Sequence, residues 1–341
     1  MSGESSAVFL LSTERSGSNL VRSILNTHSE IAGPHPLETA YPWRKTKPAG
    51  KLSPEKRHRL IRDILISKQY SFHPLVEALD IDAVVDRLES TDLDSFLAVQ
   101  QALYEEYAAT VDANHWVSKD PSMWDYLDEA FEHYEDLKVV YLVRDPRDAV
   151  LSFKNSNVGQ YHPYFNAKRW QEEQEAGLNL LEERPDSVHR IRYEDLLQNP
   201  EEEAQALCSF LDLEYEPEML YYYESEDARE SSQSADVFEN LSVPIKSDNY
   251  GKYLDRLPYE EIKITEHIAA DEMEQHGYEL EHDRELLDEF ETDEAAYTEQ
   301  DRDLERAATL KYWRESPREQ IDRYATRSFS YYMVLKYGLL A

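Results

Sequence analysis

The sequence predicts an α/β fold in which a parallel central sheet is flanked by helices on both faces, a three-layer sandwich. Three observations support this prediction. Short apolar runs at residues 7–11 and 137–143 are typical of strands that are buried on both faces. The stretches after them carry apolar residues at helical spacing, so strands and helices alternate along the chain. Their connections are short, which favours right-handed crossovers between strands that run in the same direction.

Residues 7–25 (AVFLLSTERSGSNLVRSIL) contain the first strand, turn and helix of this pattern. The polar octet at 12–19, which ends in Asn19, lies where the strand becomes a helix, and the unpaired N–H groups of a helix start attract anions. Gly17 lets the backbone approach a phosphate closely. The hydroxyls of Ser16 and Ser18 add donors, and Arg15 adds a positive charge. The stretch is therefore predicted to be a P-loop-like, phosphate-binding loop.

The sequence of this loop differs from the phosphate-binding motif of nucleoside triphosphatases, which is G-x-x-x-x-G-K-[ST]. Both the first glycine and the lysine are missing. Serine and glycine at a strand-to-helix turn also occur as ordinary turn residues. By itself, the loop leaves both interpretations open.

A second strand candidate at 29–32 leads into a turn at 33–38 that two prolines make rigid. The basic segment 41–50 is interpreted as a solvated loop in preference to a substrate-binding patch. Residues 53–112 have apolar residues at helical spacing, which predicts a helical insertion over about residues 41–112. The insertion could form a lid or a wall of an acceptor site, or it could only pack against the sheet.

The alternation of strands and helices resumes after the insertion. Pro146 suits the first turn of a helix and Asp145 suits its cap. Residues 241–253 are predicted to be irregular, and 259–276 to be the last helix of the domain. Strand candidates lie at 116–119, 137–143 and 188–193, and further helices at about 122–133, from Pro146, at about 166–182 and from Pro200.

The chain is predicted to comprise a main domain over residues 1–280 and an acidic, helical C-terminal extension over residues 281–341. The first part of the extension, 281–306, is dense in acidic residues and poor in core residues. This composition favours an exposed helix or a partly disordered link. The aromatic segment 324–340 is expected to dock on the domain or on a second copy, so the extension could join a homo-oligomer.

The composition excludes several classes of protein. With 70 acidic and 36 basic residues the net charge is −34, and the resulting field repels nucleic acids and anionic membranes. An acidic, lysine-poor surface suits a halophilic source, because concentrated salt screens self-repulsion. The single cysteine, Cys208, cannot form an internal disulfide. No apolar segment is long enough for a membrane span and residues 1–6 are too short for a signal peptide, so we expect a soluble, cytoplasmic protein.

Polar residues at the ends of three strands are expected to meet at one edge of the sheet, because ligands of open parallel sheets bind beyond the carboxyl ends of the strands. They are the loop 15–19, Lys119 with Asp120, and Arg144 with Ser152. Ser152 follows Arg144 by eight residues, about two helical turns. Both side chains can converge on one phosphate if that helix folds back over the strand end.

With these motifs the sequence resembles sulfotransferases that use 3′-phosphoadenosine 5′-phosphosulfate. TERSGSNL resembles the family's loop for the 5′-phosphosulfate, and VVYLVRDPRDAVLSF, which contains Arg144 and Ser152, resembles its 3′-phosphate motif. The turn KDP at 119–121 is most similar to that of tyrosylprotein and bacterial sulfotransferases, and RYED at 192–195 matches a further turn. The resemblance covers about residues 7–280, with a poor match over the insertion and none beyond 281.

The resemblance implies a role for each candidate residue in binding the donor. The loop 15–19 would hold the 5′-phosphosulfate, and the Arg144 and Ser152 pair the 3′-phosphate. Tyr193 would lie near the adenine. Lys246 or Lys252 would lie near the 3′-phosphate, although either lysine could be a plain surface residue.

The resemblance also implies how the cations act. Negative charge grows on the bridging oxygen as its bond to sulfur breaks, so cations beside it stabilise the transition state more than the ground state. Arg15 stands where many relatives have lysine, and because arginine keeps its proton it would stabilise charge and not act as an acid. Lys119 would add a second positive contact, unless it serves only as an ion-pair partner of Asp120.

The acceptor must lose a proton, so a base is needed near the sulfur. Relatives place a Glu or His in the loop after the second strand, and both His35 and Glu38 qualify. Glu38 is preferred because its spacing from Arg15 is closer to that of the relatives; a surface loop with unrelated charges is the alternative. No closely spaced His, Cys or Asp set indicates a metal site, and a donor already activated as a phosphosulfate suits metal-free chemistry.

The sequence thus predicts a sulfotransferase that moves a sulfuryl group to a hydroxyl or amine and releases 3′-phosphoadenosine 5′-phosphate. No motif identifies the acceptor, whether a small molecule, a glycan or a peptide. A phosphate-loop kinase is disfavoured by the missing Gly-Lys-[Ser/Thr] and by the lack of an evident magnesium carboxylate. An inactive nucleotide-binding or scaffold protein is the other alternative, against which the retained cation and base candidates argue weakly.

Overall fold

The computed structural model describes residues 6–37, 53–69, 80–89, 91, 93, 95–156, 160–234 and 240–315. A five-stranded sheet lies at the centre of this part of the chain, and every strand pairing in it is parallel. This confirms the predicted fold class. The strands are Ser6–Ser12 (β1), Ile31–Ala32 (β2), His115–Ser118 (β3), Lys138–Val143 (β4) and Val188–Arg192 (β5).

The strand order across the sheet is β2-β3-β1-β4-β5, which places β1 in the middle. The chain first builds the sheet to one side of β1 through β2 and β3, and then crosses to the other side for β4 and β5. The order therefore reverses next to β1, and an open parallel sheet binds ligands in the crevice beyond the strand ends at such a point. The loop that follows Ser12, the last residue of β1, lies at this point.

Helices cover both faces of the sheet, and short 3₁₀ helices occupy Pro121–Tyr126 and Pro217–Glu224. In chain order the α-helices are Ser18–Leu25 (α1), Pro54–Gln69 (α2), Ile81–Glu89 (α3), Phe96–Thr110 (α4), Leu127–His133 (α5), Pro146–Lys154 (α6), Pro163–Glu183 (α7), Tyr193–Gln198 (α8), Pro200–Phe210 (α9), Glu226–Ser234 (α10), Tyr253–Arg256 (α11), Tyr259–Gln275 (α12), Arg284–Asp288 (α13) and Glu294–Glu315 (α14).

Successive residues of β1 enter two different hydrophobic cores. Phe9 and Leu11 belong to the core that α2–α5, α7 and α12 cover, and Val8 and Leu10 belong to the core formed with α1, α8 and α9. Side chains of a strand point alternately to the two faces of a sheet. The strand must therefore be apolar throughout, which explains the uninterrupted apolar run that the sequence shows.

The helical insertion is represented by α2, α3 and α4. Leu60, Val84 and Leu97, one from each helix, are buried in the same core as Phe9 of β1. The insertion thus packs directly against the sheet. The basic segment 41–50 lies outside the described residues, so its predicted role as a solvated loop stays a prediction.

Several short elements differ from the sequence-based prediction. The fifth strand was expected to end at Tyr193 and the next helix to begin at Pro200, whereas α8 begins at Tyr193 itself. Helix α10 and the 3₁₀ helix Pro217–Glu224 were not predicted, and the helix predicted at about 122–133 is divided into the 3₁₀ helix Pro121–Tyr126 and α5. For the first part of the extension, 281–306, we predicted either an exposed helix or a partly disordered link, and α14 fits the exposed helix. The aromatic segment 324–340 lies outside the described residues, so its docking stays a prediction. None of the helices described is both long and apolar enough to cross a membrane.

Candidate active site

The loop between β1 and α1 has an unusual backbone. Arg15 has a φ of 72° and Gly17 a φ of 94°, both in the left-handed region. Gly17 precedes the first residue of α1 and provides no side-chain cap. Ser16 is fully buried, and its Oγ has no hydrogen-bond partner within the described residues. A buried hydroxyl beside a helix start is suited to donate to a bound anion, because leaving it unsatisfied is costly.

Tyr193 packs against this loop from the start of α8. A Cβ atom built on Gly17 would lie 2.4 Å from Cε2 of the Tyr193 ring, so any other residue at this position would force the ring to move. The Tyr193 hydroxyl accepts a hydrogen bond from Asn249 at 2.7 Å. The guanidinium of Arg144 lies over the same ring, 4.6 Å from its centroid. The ring therefore joins the loop to the end of β4.

The two motifs that were predicted to bind phosphate contact one another. Nε of Arg15 donates to Oγ of Ser152 at 3.2 Å. Nη1 of Arg144 donates to the backbone oxygen of Arg15 at 3.0 Å. Helix α6 therefore does fold back over the end of β4, and Arg144 and Ser152 both reach the β1–α1 loop.

A cavity of about 540 Å³ opens at this point, within the usual range for small-molecule sites. The described residues that line it include six basic and two acidic side chains, although the whole chain has a net charge of −34. Ten of the predicted site residues line the cavity: Arg15, Gly17, Ser18, Asn19, Lys119, Arg144, Ser152, Tyr193, Lys246 and Lys252. Several other polar lining residues were not predicted from the sequence: Glu14, Asp148, Asn155, Asn240, Asn249 and Arg256.

Two predicted residues within the described part of the chain, Ser16 and His35, are not among those that line the cavity. Ser16 is fully buried under the loop. His35 is absent from the lining, although the next residue, Pro36, belongs to it. Glu38, the preferred base, lies outside the described residues, and its assignment stays a prediction.

Asp148 connects the β4–α6 segment to the loop that carries Lys252. Its buried carboxylate accepts hydrogen bonds from the backbone N–H groups of Gly251 at 2.6 Å and Tyr253 at 3.1 Å. It also lies 3.7 Å from the guanidinium of Arg144. Burial raises the pKa of Asp148, and Arg144 opposes this shift. The carboxylate thus fixes the loop against the cation at the end of β4.

Two lysines extend the basic lining on the far side of the cavity. Lys252 donates to Asn249 at 2.5 Å, and Lys246 donates to Asn240 at 2.6 Å. Partial burial and then the nearby cation Arg256 lower the pKa of Lys252. Crowding of positive charge of this kind is relieved when an anion binds between the cations.

His35 is held by a buried ion pair. Its Nε2 lies 3.3 Å from Oδ1 of Asp227 in α10, and Arg22 of α1 donates to Oδ2 of the same carboxylate at 2.7 Å. Arg22 also donates to the backbone oxygen of Gly33 at 2.6 Å, which fixes the start of the turn. Burial, followed by the charge of Arg22, lowers the pKa of His35 to about 4, so the ring is neutral at pH 7.

Lys119 lies at the end of β3, the strand next to β1, and lines the cavity. Its neighbour Asp120 uses its carboxylate to accept a hydrogen bond from the N–H of Ser122 at 2.9 Å. Asp120 thereby caps the 3₁₀ helix that starts at Pro121. A structural role accounts for Asp120, whereas Lys119 adds positive charge to the cavity.

Comparison with known proteins identifies the family. A sequence profile described as the sulfotransferase family matches residues 7–217, which include β1 to β5 and much of the site described above. The chain belongs to this family and is an enzyme of the sulfotransferase type.

Individual relatives agree with this classification. The sulfotransferase domain from the curacin biosynthetic pathway is 26% identical with a TM-score of 0.58, covering 81% of this chain and 99% of that domain. The sulfotransferase domain of the Synechococcus PCC 7002 olefin synthase shares the fold at 19% identity and a TM-score of 0.57, covering 82% and 97%. A putative protein-tyrosine sulfotransferase from Caenorhabditis briggsae is 30% identical over 112 residues, which are 31% of this chain and 40% of that protein. The chain thus spans less than half of this last relative.

Three of the residues that were not predicted from the sequence share one property. Asp148, Asp227 and Asn249 act through partners that are far away in the sequence: 103 residues separate Asp148 from Gly251, and 205 separate Arg22 from Asp227. No local pattern marks such residues. One usable signal was Arg22, a cation among the apolar positions of α1, which requires a buried counter-charge.

Proposed function

We propose that this sulfotransferase uses 3′-phosphoadenosine 5′-phosphosulfate as its donor and transfers the sulfuryl group to a hydroxyl or amine. The observation that carries this proposal is the direct contact of the Arg15 loop with Arg144 and Ser152 in one basic cavity. The donor presents two separated anionic groups, the 5′-phosphosulfate and the 3′-phosphate. A cavity with cations on the ends of two adjacent strands suits such a ligand better than one with a single phosphate site.

Each lining residue then has a role. The loop 15–19 holds the 5′-phosphosulfate, with the buried hydroxyl of Ser16 as one donor. Arg144 and Ser152, with Lys246 or Lys252, hold the 3′-phosphate. Tyr193, whose ring packs on Gly17, lies near the adenine.

The transfer is an in-line displacement at sulfur. The acceptor oxygen or nitrogen forms a bond to sulfur while the bond from sulfur to the bridging oxygen breaks, and the electron pair stays on the 5′-phosphate. Arg15 and Lys119 stabilise the charge that develops there. A side chain of the segment after β2, His35 or Glu38, takes the proton of the acceptor. No step in this scheme uses a metal ion.

The relative named protein-tyrosine sulfotransferase makes phenols the first acceptor class to test, although the match covers only 40% of that protein. A small molecule, a glycan and a peptide all remain in the panel.

We also propose a cytoplasmic location, which suits the single, buried Cys208. A main domain at 1–280 and a contact between copies through the extension at 281–341 are further proposals, based on the composition of the two parts.

Two measurements test this function. In calorimetry, 3′-phosphoadenosine 5′-phosphate should bind and ATP with magnesium should not. Lys252→Ala should weaken this binding, whereas Lys263→Ala, on α12 and outside the cavity lining, should not change it. Labelled sulfate should then pass from the donor to at least one member of a panel of phenols, primary alcohols and amines. Binding of ATP with magnesium alone would overturn the proposal in favour of a kinase.

A further inference from the structure

The carboxylate of Asp227 lies between a buried arginine and a histidine. The side chain of Arg22 is 0% exposed, that of His35 is 14% exposed and that of Asp227 is 26% exposed. Arg22 approaches both carboxylate oxygens, at 2.7 Å for Oδ2 and 3.4 Å for Oδ1. His35 approaches Oδ1 at 3.3 Å. Two donors thus share one carboxylate on α10.

This arrangement determines where the proton of His35 lies. Burial raises the pKa of Asp227, but the hydrogen bond from His35 and the charge and hydrogen bond of Arg22 outweigh it and hold this pKa well below its usual range. The carboxylate is therefore ionised and only accepts hydrogen bonds. The neutral ring must therefore carry its proton on Nε2, next to Asp227. The lone pair of the ring then lies on Nδ1, the nitrogen that can accept a proton.

The position of His35 also matches the sulfuryl end of the cavity. The next residue, Pro36, lines the cavity, and so does Lys119, whose positive charge acts on His35. Lys119 follows the last residue of β3, directly beside β1, and the β1–α1 loop carries Arg15. His35 is therefore within electrostatic reach of Lys119, one of the two cations that are proposed to act on the sulfuryl group, and is joined in the chain to the lining residue Pro36.

We propose that Asp227 is a positioning residue that makes His35 the proton acceptor of the transfer. This proposal rests on the proposed function and extends it. As the acceptor oxygen or nitrogen bonds to sulfur, its proton passes to Nδ1 of His35, and the electron pair of the broken sulfur–oxygen bond stays on the nucleotide. The imidazolium that forms donates to Asp227 through Nε2. His35 thus replaces Glu38 as the favoured base.

The charges around His35 couple proton transfer to donor binding. Arg22 of α1 and Lys119 beyond β3 disfavour the protonated ring, and Asp227 of α10 favours it. Tyr107 of α4 is also close to Arg22 and Asp227, and burial raises its pKa further above its ordinary value, so it adds no charge at pH 7. An anionic donor beside Lys119 offsets part of the positive charge. His35 therefore binds a proton more readily once the donor is in place.

Three variants test this proposal through turnover. We expect His35→Ala and Asp227→Asn each to lower kcat for conversion of the donor to 3′-phosphoadenosine 5′-phosphate, with the best phenol of the panel, by about 100-fold or more. In Asp227→Asn, the new amide group would donate to Nε2 and place the ring proton on Nδ1. The double variant should be no slower than His35→Ala, because both changes remove the same base. Glu226→Gln, an exposed neighbour on α10, is the matched control and should keep wild-type turnover.

Nucleotide affinity separates this proposal from a structural role. The Kd for 3′-phosphoadenosine 5′-phosphate should stay within about twofold in every variant, since none of the changed side chains holds the donor. Imidazole in solution should restore part of the turnover of His35→Ala, which a change in packing would not allow. Independent losses in the double variant, or a loss with Glu38→Gln while His35→Ala stays active, would overturn the proposal.

The position of the proton on the His35 ring can also be measured without a sulfuryl-acceptor substrate. In wild-type protein labelled with ¹⁵N-histidine, the signal that disappears in His35→Ala should report a proton on Nε2 at pH 7. A proton on Nδ1 would overturn the proposal even if Asp227→Asn does not fold. If the wild-type protein neither binds the nucleotide nor transfers sulfate, the proposed function fails instead, and the proton position remains a separate result.

Discussion

Arg15 shows at the scale of single residues how the loop is held in a costly conformation. A non-glycine residue at positive φ costs on the order of 1 kcal/mol or more, and such strain persists only where neighbours enforce it. Here the φ of Arg15 is 72°, with its side chain bonded to Ser152 and its carbonyl to Arg144. The strained residue is therefore fixed by the same two side chains that are proposed to hold the 3′-phosphate.

Gly17→Ala should disturb this site through Tyr193. The new methyl group would lie 2.4 Å from the ring, and alanine is disfavoured at a φ of 94°. We expect a loss of stability of about 1–3 kcal/mol and weaker nucleotide binding, because the ring must move away from the loop. Thermal unfolding and calorimetry check both effects. Gly277→Ala, where φ is 79° but no atom lies within 4 Å, is the control that separates backbone strain from the clash.

Asp148→Asn should act on donor binding. The N–H groups of Gly251 and Tyr253 donate to different oxygens of the carboxylate, and the amide replaces one of these oxygens with an NH2 group that only donates. One buried N–H then lacks a partner, at a cost of about 1–3 kcal/mol, and the loop with Lys252 shifts. We expect KM for the donor to rise about tenfold with a smaller change in kcat. Asp255→Asn, exposed on the adjacent α11, is the control, and an equal effect in both variants would contradict the assignment.

The sequence predicted the residues whose chemistry is encoded in local motifs. Arg15 and Gly17 lie at a strand-to-helix turn, and Arg144 and Ser152 are spaced along one strand end and helix, so a pattern of neighbours was enough to predict that they line one cavity. Asp148 and Asp227 look like ordinary surface acids in a chain with 70 acidic residues. Their partners are assembled only by the tertiary fold, which a single sequence does not reveal.

At the scale of elements, α14 stabilises the start of α7. Oδ1 of Asp301 accepts hydrogen bonds from the N–H groups of Tyr161 at 2.7 Å and His162 at 2.8 Å. The ring of His162 stacks on Tyr297 with the ring centroids 4.4 Å apart. The extension therefore contributes contacts to the segment that leads into α7.

Asp301→Ala tests this contact between elements. Two N–H groups on buried residues would lose their acceptor, and we expect a loss of about 1–3 kcal/mol, which lowers Tm by several degrees in a domain of this size. Asp303→Ala is the matched control, because Asp303 is exposed on the same helix and pairs with Arg306, a neighbour within α14. Equal values of Tm for both variants would show that α14 does not stabilise α7 in solution.

Elements with strong periodicity were the ones that could be predicted. The five strands appear within one to two residues of their expected places, and β1 and β4 are the clearest because each is an apolar run bounded by polar turns. Helix α8 has six residues and follows β5 without a loop, and α10 is polar and carries only Ala228 among its described residues into the core. Helix α10 has too few apolar positions to form a period, and the apolar positions of α8, Tyr193, Leu196 and Leu197, span little more than one turn.

At the scale of the whole molecule, the alternation of strands and helices along the sequence was enough to predict the fold class, but it did not predict the order of the strands in the sheet. Right-handed crossovers require parallel strands, yet they allow β3 to lie on either side of β1. The order β2-β3-β1-β4-β5 depends on which apolar faces fit together, and it is this order that puts Lys119 and Arg144 on opposite sides of the Arg15 loop. The convergence of three strand ends in one cavity is therefore a property of the assembled sheet.

The net charge of −34 predicts how the whole molecule responds to salt. Self-repulsion destabilises the compact state, and raising the ionic strength from about 0.1 M to about 1 M shortens the screening length from roughly 10 Å to roughly 3 Å. We expect Tm to rise by several degrees over this range, with most of the gain at the lower concentrations, where screening changes fastest. Potassium chloride and choline chloride at equal ionic strength should act equally, because screening does not depend on the identity of the cation. A rise with potassium alone would indicate specific ion binding to the acidic surface, and a flat or falling Tm would show that self-repulsion does not limit the stability of this enzyme.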